Sequence, residues 1–185
     1  IYQVPHLLHA QGLDELVLAK LGFDLPPADL SDWNKVVAAE QNPERCVRII
    51  LVAKYPEISD CYKSLAEALK HAGIHNHCKV DIEYLDAEKI EAEGTDCLKT
   101  AQGIIVPGGF GARGIEGKIQ AIRYAREQQV PFLGICLGMQ LAVIEYARHV
   151  ANILEANSTE FSPDTAYPLI SLITEWQDQS GARQK

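Results

Sequence analysis

The pattern of hydrophobic positions changes near residue 45. Before that point no apolar run suits a strand, and the spacing predicts short helices at 7–13, 14–21 and 32–41. The second of these should end at Gly22, and Ser31 is the expected N-cap of the third. We expect residues 1–25 to end one domain, residues 26–44 to form an interdomain linker, and residues 45–185 to form a second domain.

From residue 45 onward, apolar runs alternate with amphipathic segments. Runs rich in β-branched residues, such as 47–53 and 103–107, suit strands that are buried on both faces. Strands are expected at 47–53, 79–85, 103–107 and 130–135, and helices at 59–72, 115–129 and 139–151, with a further helical piece through Ile90 and Leu98. The first of these helices should stop at Gly73. The alternation predicts right-handed βαβ units on a mainly parallel sheet, which is an α/β fold.

Composition narrows the classes of partner. Lys and Arg number 17 against 25 Asp and Glu, and no basic run occurs, so we expect no nucleic-acid partner. No apolar stretch approaches the roughly 20 residues that span a bilayer, and no signal peptide opens the chain, so we expect no membrane contact. The five cysteines are odd in number and form no CxxC pair. They suggest a reduced, cytoplasmic protein without a metal site. Because the first residue is not Met, we expect the chain to begin inside a longer protein.

The segment 134–138 carries the most informative motif, Gly-Ile-Cys-Leu-Gly, between an apolar run and an amphipathic segment. A nucleophile elbow needs small residues on both sides of the nucleophile, because the sharp turn brings neighbouring backbone close together. Gly134 and Gly138 meet that need. A helix that starts near Leu137 would point its amide groups at the sulfur of Cys136, which favours the thiolate. We predict that Cys136 is a reactive nucleophile rather than a buried structural cysteine.

A second Gly-rich turn, 107–111, follows the predicted strand 103–107. Ligands bind at the carboxyl ends of the strands in parallel sheets, so the two turns belong to one site if their strands are neighbours. Alone, the second turn could be a generic strand-to-helix connection. Beside the elbow, it predicts an oxyanion hole whose donors are the backbone N–H groups of Gly109 and Leu137.

A thiol nucleophile also needs a base, usually a histidine oriented by a carboxylate. The six histidines are His6, His9, His71, His75, His77 and His149. His149 follows Cys136 on the same predicted helix, but it lies about 220° round that helix and several turns away. The other five flank a helix end or lie in the N-terminal segment. We therefore expect none of the six to act as the base.

The two turns together resemble the class I (triad) glutamine amidotransferase family. The sequences that carry the resemblance are Pro-Gly-Gly-Phe-Gly-Ala-Arg-Gly at 107–114 and Gly-Ile-Cys-Leu-Gly-Met-Gln at 134–140. Further segments are similar to the CTP synthase family, namely 62–69, 146–150, 157–161 and 172–176. The opening, Ile-Tyr-Gln-Val-Pro, resembles the end of that family's synthetase domain. The resemblance runs the length of the chain and implies a flavodoxin-like three-layer fold with a mainly parallel sheet, truncated at its C-terminal end.

Roles for individual residues follow from this resemblance. In the CTP synthase family, an amidotransferase domain hydrolyses glutamine, and a synthetase domain uses the ammonia to aminate a phosphorylated UTP. Cys136 would then form the thioester, beside the oxyanion hole. The implied glutamine-binding residues are Gly109, Phe110, Leu137, Gly138, Met139, Gln140 and Glu160. Gln140 and Glu160 would hold the polar head of glutamine, with Glu160 accepting from its α-ammonium, and Phe110 would cover the substrate.

Roles without ligand binding stay open for several of these residues. Gln140 could be a helix-surface side chain, Glu160 a loop carboxylate and Phe110 a core-edge aromatic. Lys54 and Arg113 correspond to positions where the family's GTP activator is thought to act, but they could equally be solvated charges. The resemblance further implies that the whole enzyme uses ATP, Mg²⁺ and GTP, forms a homotetramer and works in the cytoplasm. It implies no cofactor in this segment, and it makes L-glutamine and the synthetase domain the partners.

The sequence also departs from the family pattern. The family's catalytic His and Glu belong to a His-Pro-Glu motif, which these 185 residues do not contain. We expect that motif beyond Lys185, and little or no turnover by this segment alone. We also expect an exposed edge on a strand at 169–173, which is an aggregation hazard.

Two other interpretations remain: a stand-alone cysteine hydrolase of flavodoxin-like fold, or an inert truncated fold or interaction fragment. Gln140 and Glu160 weigh against the first, because a general peptidase or amidase does not need to bind an amino-acid head group.

Overall fold

A computed structural model describes residues 1–54, 59–172, 176–177 and 183–184. The helices in these ranges are α1 (Val4–Ala10), α2 (Leu13–Leu21), α3 (Ser31–Gln41), α4 (Lys63–His75), α5 (Ala87–Glu93), α6 (Ile115–Glu127) and α7 (Leu137–His149). The strands are β1 (Arg45–Ala53), β2 (Cys78–Asp86), β3 (Gly103–Val106), β4 (Phe132–Gly134), β5 (Ala156–Ser158), β6 (Tyr167–Ile170), β7 (Trp176–Gln177) and β8 (Arg183–Gln184). Short 3₁₀ turns occur at Ser59–Tyr62 and Thr95–Leu98. Within this part of the chain, no helix is long and apolar enough to cross a membrane.

Residues Ile1–Val47 and Tyr62–Asp81 form one compact unit. Three N-terminal helices are present as predicted, but α1 covers Val4–Ala10 instead of 7–13 and α2 begins at Leu13. The C-terminus of α2 is followed by Gly22 in the left-handed conformation, as expected. The ring of Tyr2 is buried and contacts the rings of Trp33 and His71. The indole N–H of Trp33 donates to the carbonyl oxygen of Tyr2 at 2.7 Å. These contacts place the first residues of the chain against α3 and α4.

Two further helix boundaries in this unit differ from prediction. The helix expected to be capped by Ser31 begins at Ser31 itself, and the Asp29 carboxylate accepts the Ser31 backbone N–H at 2.8 Å. The helix expected to stop at Gly73 continues to His75. A Cβ on Gly73 would lie 2.5 Å from the carbonyl oxygen of Cys78. Gly73 therefore permits a close approach of α4 to β2 and does not end the helix.

Residues Arg48–Cys61 and Ile82–Lys185 form the second unit. Its main sheet has the order β2-β1-β3-β4, and β1 with β3 and β3 with β4 pair in parallel. This order is the one found in flavodoxin-like folds. The fold is therefore the predicted α/β fold with a mainly parallel sheet, and the alternation of apolar runs and amphipathic segments was sufficient to predict it.

The core of the second unit lies between the sheet and α5, α6 and α7. Ile50 and Val52 of β1 and Ile104 and Val106 of β3 share a face and pack in one cluster with buried residues of these helices. Leu51 and Ile105, which alternate with them, are buried as well. The prediction that these strands are buried on both faces is thus confirmed.

The C-terminal part adds two small sheets. β5 pairs in parallel with β6, and β7 pairs antiparallel with β8. The strand expected at 169–173 begins earlier, at Tyr167, and its last predicted residue, Ile173, lies outside the described residues. Its expected edge exposure and the proposed division at residues 25 and 44 stay predictions.

Candidate functional site

Cys136 lies at the sharp turn between β4 and α7, as the motif predicts. It is the N-cap of α7, with φ 51° and ψ −107°, and it is exposed to solvent. A positive φ is uncommon for a residue with a side chain, and this ψ is far from the ordinary left-handed region. The backbone at Cys136 is therefore strained, as it is in nucleophile elbows.

The two flanking glycines permit close backbone contacts. A Cβ on Gly134 would lie 2.6 Å from the carbonyl carbon and oxygen of Gly138. A Cβ on Gly138 would lie 2.0 Å from the carbonyl oxygen of Val106, at the end of β3. Both distances are far below any real Cβ contact, so both positions require glycine. The turn that presents Cys136 is thereby held against the carboxyl end of the neighbouring strand.

The second Gly-rich turn adjoins the elbow because β3 and β4 are paired neighbours, with Val106 opposite Gly134. The Cβ position of Gly108 lies 3.5 Å from Cβ of Cys136. That of Gly109 lies 3.6 Å from Cδ2 of Leu137. The structure thus brings the two predicted oxyanion donors, Gly109 and Leu137, next to the nucleophile.

Side chains from distant parts of the sequence hold the second turn. The carboxylate of Glu160 accepts the backbone N–H of Gly111 at 2.9 Å. The ammonium of Lys54, just past β1, donates to the carbonyl oxygen of Phe110 at 2.8 Å. Both residues were expected to bind ligands, as part of the glutamine and GTP sites. In the structure, each also supports the backbone of the turn.

Arg113 is engaged in an ion pair. Its guanidinium donates to the Glu88 carboxylate at 2.6 Å. This hydrogen bond holds the pKa of Glu88 below its ordinary value, against a smaller opposing effect of desolvation. Arg113 therefore links the segment before α6 to α5.

The remaining predicted glutamine-binding residues lie on α7, in the second Gly-rich turn and just after β5. Gln140 and Glu160 line one cavity of about 420 Å³, together with Ser158, Thr159, Ile170, Ser171 and Leu172. Met139 is exposed on α7, whereas Gly138 is buried in its first turn. The ring of Phe110 is 82% exposed, so it does not pack at the edge of the core. An amide and a carboxylate thus share a cavity beside β5 and β6.

The histidines make their contacts elsewhere. His149 lies near Glu145, with Nδ1 3.1 Å from its carbonyl oxygen and 3.3 Å from its carboxylate. It lines a separate cavity of about 750 Å³ along α6, beside Lys99, Arg123 and Glu127. His9 bonds to Asp14 at 2.6 Å, and His71, His75 and His77 line an apolar cavity of the first unit. None of these contacts involves Cys136.

Sequence reasoning missed Lys118. This residue of α6 is only 1% exposed, and its Nζ lies 3.8 Å from the Cβ position of Gly109. A signal was present, because Lys118 follows Ile115 by three positions and precedes Ile122 by four, which places a charge on the apolar stripe of the helix. Burial, and then the like charge of Lys54, lower the pKa of Lys118.

Comparisons with known proteins agree on one family. The family model described as "Glutamine amidotransferase class-I" matches residues 57–169. Among solved structures, the chain is similar to the glutaminase domain of CTPS from Trypanosoma brucei, described with bound acivicin. The sequence identity is 38% and the TM-score 0.66, and the match covers 74% of this chain and 53% of that one. The chain thus spans about half the length of this solved relative.

Proposed function

Because this chain belongs to the class I glutamine amidotransferase family, we propose that it is the glutamine-hydrolysing portion of a CTP synthase, with Cys136 as its nucleophile. The observation that carries the proposal is the elbow itself. Cys136 stands exposed and strained at the N-terminus of α7, beside a Gly-rich turn from the neighbouring strand. The 38% identity to a CTPS glutaminase domain supports the choice among members of the family.

The proposed reaction is acyl transfer from nitrogen to sulfur and then to water. The Cys136 thiolate attacks the side-chain carbonyl carbon of glutamine, and the π electrons move onto the oxygen. The N–H groups of Gly109 and Leu137 stabilise that oxyanion. The C–N bond then breaks, its nitrogen takes up a proton, and ammonia leaves a γ-glutamyl thioester. Water adds to the thioester carbon, the C–S bond breaks, and glutamate and the free cysteine are released.

Selectivity for glutamine would come from the cavity that Gln140 and Glu160 share. The Glu160 carboxylate is suited to accept from an α-ammonium group, and a charge-assisted hydrogen bond of this kind is stronger than a neutral one. The Gln140 amide can both donate and accept. The exposed ring of Phe110 can close over a bound substrate. A general cysteine hydrolase would have no use for this pair of head-group ligands.

The remaining steps of the proposal involve groups outside these 185 residues. The general base would be the histidine of a His-Pro-Glu motif, which this sequence lacks. Ammonia would pass to a synthetase domain for ATP-dependent amination of UTP, in a cytoplasmic homotetramer activated by GTP near Lys54 and Arg113. Among the described residues, no group of three His, Cys, Asp or Glu side chains could hold a metal ion.

Acivicin tests the assignment of the nucleophile, because the similar domain of T. brucei CTPS is described with it bound. We expect acivicin to modify Cys136 before Cys46 and Cys61, which are also exposed. Mass spectrometry of the digested protein would locate the adduct. Glutamine should slow the reaction at Cys136 alone, and C136S should abolish it. Equal modification of all three thiols, or no protection by glutamine, would contradict the proposal.

A second assay concerns turnover. Since no hydrogen bond or ion pair joins a histidine to Cys136 in the described part of the chain, we expect this polypeptide to release glutamate from glutamine far more slowly than a complete enzyme does. Coupled detection of glutamate measures the rate. Turnover comparable to that of a complete CTP synthase would show that a base within these residues suffices, and the assignment of the base to a His-Pro-Glu motif would then be wrong.

A further inference from the structure

Lys118 is a buried cation that has no charged partner among the described residues. Glu145, which is equally buried, forms an ion pair with Arg126 at 2.8 Å. In contrast, the Nζ of Lys118 has no hydrogen-bond or ion-pair partner among the residues that the structure describes. Buried charges in proteins are usually paired, and an exception calls for a specific explanation.

The surroundings of Lys118 oppose a positive charge. Desolvation comes first, and the like charge of Lys54 adds to it; both lower the pKa of Lys118. Lys118 is also the fourth residue of α6, near the positive end of the helix dipole. The neighbouring positions on this face, Ile115, Ile119 and Ile122, are apolar and buried. Packing alone would favour another apolar side chain here.

The geometry directs the ammonium toward the second Gly-rich turn. The Cβ position of Gly109 has two neighbours, Cδ2 of Leu137 at 3.6 Å and Nζ of Lys118 at 3.8 Å. Lys118 thus lies next to Gly109, whose N–H, with that of Leu137, is the expected oxyanion donor. The tetrahedral intermediate of the proposed reaction would place a full negative charge next to this glycine. That charge compensates for the features that make the site unfavourable for a cation.

We propose that Lys118 is a positioning residue for glutamine hydrolysis, whose ammonium lies against Gly109 and stabilises the oxyanion that the Gly109 peptide binds. The inference rests on the proposed function, because it requires an oxyanion at Gly109. Lys118 acts through the turn and does not touch the substrate. An interaction of one charge with another across a peptide at low dielectric is worth about tenfold or more in affinity for the oxyanion.

Glutamate γ-semialdehyde is a suitable probe, because it forms an oxyanion without needing a general base for turnover. The Cys136 thiolate adds to the aldehyde carbon, the C–S bond forms, and the π electrons move to the oxygen, which remains bound at the turn. Iodoacetamide serves as the second probe, because its alkylation of the thiolate forms no oxyanion. We expect K118M, which keeps the length and removes the charge, to weaken aldehyde binding about tenfold or more. Alkylation of Cys136 by iodoacetamide should change less than twofold.

Two variants complete the series. K118R keeps the charge and should bind the aldehyde within about threefold of the wild type. R123M removes an exposed charge from the same helix and should change neither probe. If K118M binds the aldehyde as tightly as the wild type does, the inference is overturned. The same holds if K118M loses both probes equally, because that result indicates general distortion of the site.

A measurement on the unaltered protein avoids any folding defect of K118M. The titration of Lys118, followed by NMR of its side chain, should move to higher pH when the aldehyde adduct forms, because an anion then lies nearby. An unchanged titration overturns the inference. If the wild type does not bind the aldehyde at all, while iodoacetamide still alkylates Cys136, the proposed function fails and this inference fails with it.

Discussion

Replacing Gly138 with alanine would place a methyl group between α7 and β3. The new Cβ would lie 2.0 Å from the carbonyl oxygen of Val106 and 2.8 Å from its carbonyl carbon. Both atoms belong to backbone that is fixed in the sheet, so no flexible side chain can move aside. Carbon and oxygen atoms approach to about 3.3 Å at the closest, so helix and strand would have to separate by about 1.3 Å.

The cost of this separation can be bounded. Overpacking of a well-packed core costs about 1–3 kcal/mol, and a clash with fixed backbone belongs at the upper end of that range. With an m value of about 2 kcal/mol/M in urea, a loss of about 3 kcal/mol lowers the unfolding midpoint by about 1.5 M. The elbow would move with the helix, and a displacement of about 1 Å at a reacting group costs about 100-fold in rate. Modification of Cys136 by acivicin should fall accordingly.

Urea unfolding of G138A, followed by circular dichroism, measures the first effect, and the rate of acivicin labelling measures the second. Gly108 offers the matched control for stability. It lies in the adjoining turn, but its Cβ would be 3.5 Å from Cβ of Cys136, which is an ordinary contact. We expect the unfolding free energy of G108A to stay within about 0.5 kcal/mol of the wild type or to rise, because alanine restricts the unfolded chain. An unchanged midpoint for G138A would refute the close approach of α7 to β3.

Three further predictions concern charged contacts. E160Q keeps an oxygen for the Gly-rich turn but loses the charge, so half-protection by glutamine against acivicin should require about 10–100-fold more glutamine, with unchanged urea stability. R126M leaves the Glu145 carboxylate buried without its main partner and should cost about 3 kcal/mol in urea unfolding. R113M should raise the pKa of Glu88 in an NMR titration, because its hydrogen bond with Arg113 is lost. The difference in stability between wild type and R113M should be present at neutral pH and should vanish as the pH falls through the lowered pKa of Glu88.

Each of these has a result that would count against it. For Glu160, equal weakening in E160Q and E160A would mean that support of the turn, and not the charge, determines glutamine binding. Arg123 lies on the same helix as Arg126, and the unfolding free energy of R123M should stay within about 0.5 kcal/mol of the wild type. A similar loss of stability in R123M and R126M would mean that the loss in R126M does not come from leaving Glu145 unpaired. A pKa of Glu88 that does not respond to R113M would mean that the pair does not form in solution.

Much of the fold followed from short-range patterns. The β-branched runs at 47–53 and 103–107 correspond to β1 and β3, because a strand buried on both faces leaves a continuous apolar signal. The elbow was equally local, since Gly134 and Gly138 lie within two residues of Cys136. The helix boundaries were less secure. Gly73 gave the signal of a helix end, but its role depends on a strand that begins five residues later.

The interactions that assemble the site were beyond local patterns. The bond from Gly111 to Glu160 joins residues 49 positions apart, and that from Lys54 to Phe110 joins residues 56 apart. Only the tertiary fold brings such pairs together, and no periodicity in the sequence encodes them. Lys118 was missed for a different reason. It interrupts the apolar stripe of α6, and in the sequence alone it cannot be told from an exposed surface lysine. The ligand-binding role expected for Glu160 stays a prediction, to which the structure adds a second, structural contact.

The strained backbone at Cys136 has a consequence for how this domain can evolve. A residue held at φ 51° and ψ −107° costs about 1–3 kcal/mol, whereas glycine adopts such angles with little penalty. C136G should therefore make the fold more stable while it removes the nucleophile. Stability and chemistry oppose each other at this single position, so a copy released from selection for glutamine hydrolysis would gain stability by losing its cysteine. Selection for the reaction, and not for the stability of the fold, would therefore retain the strained cysteine.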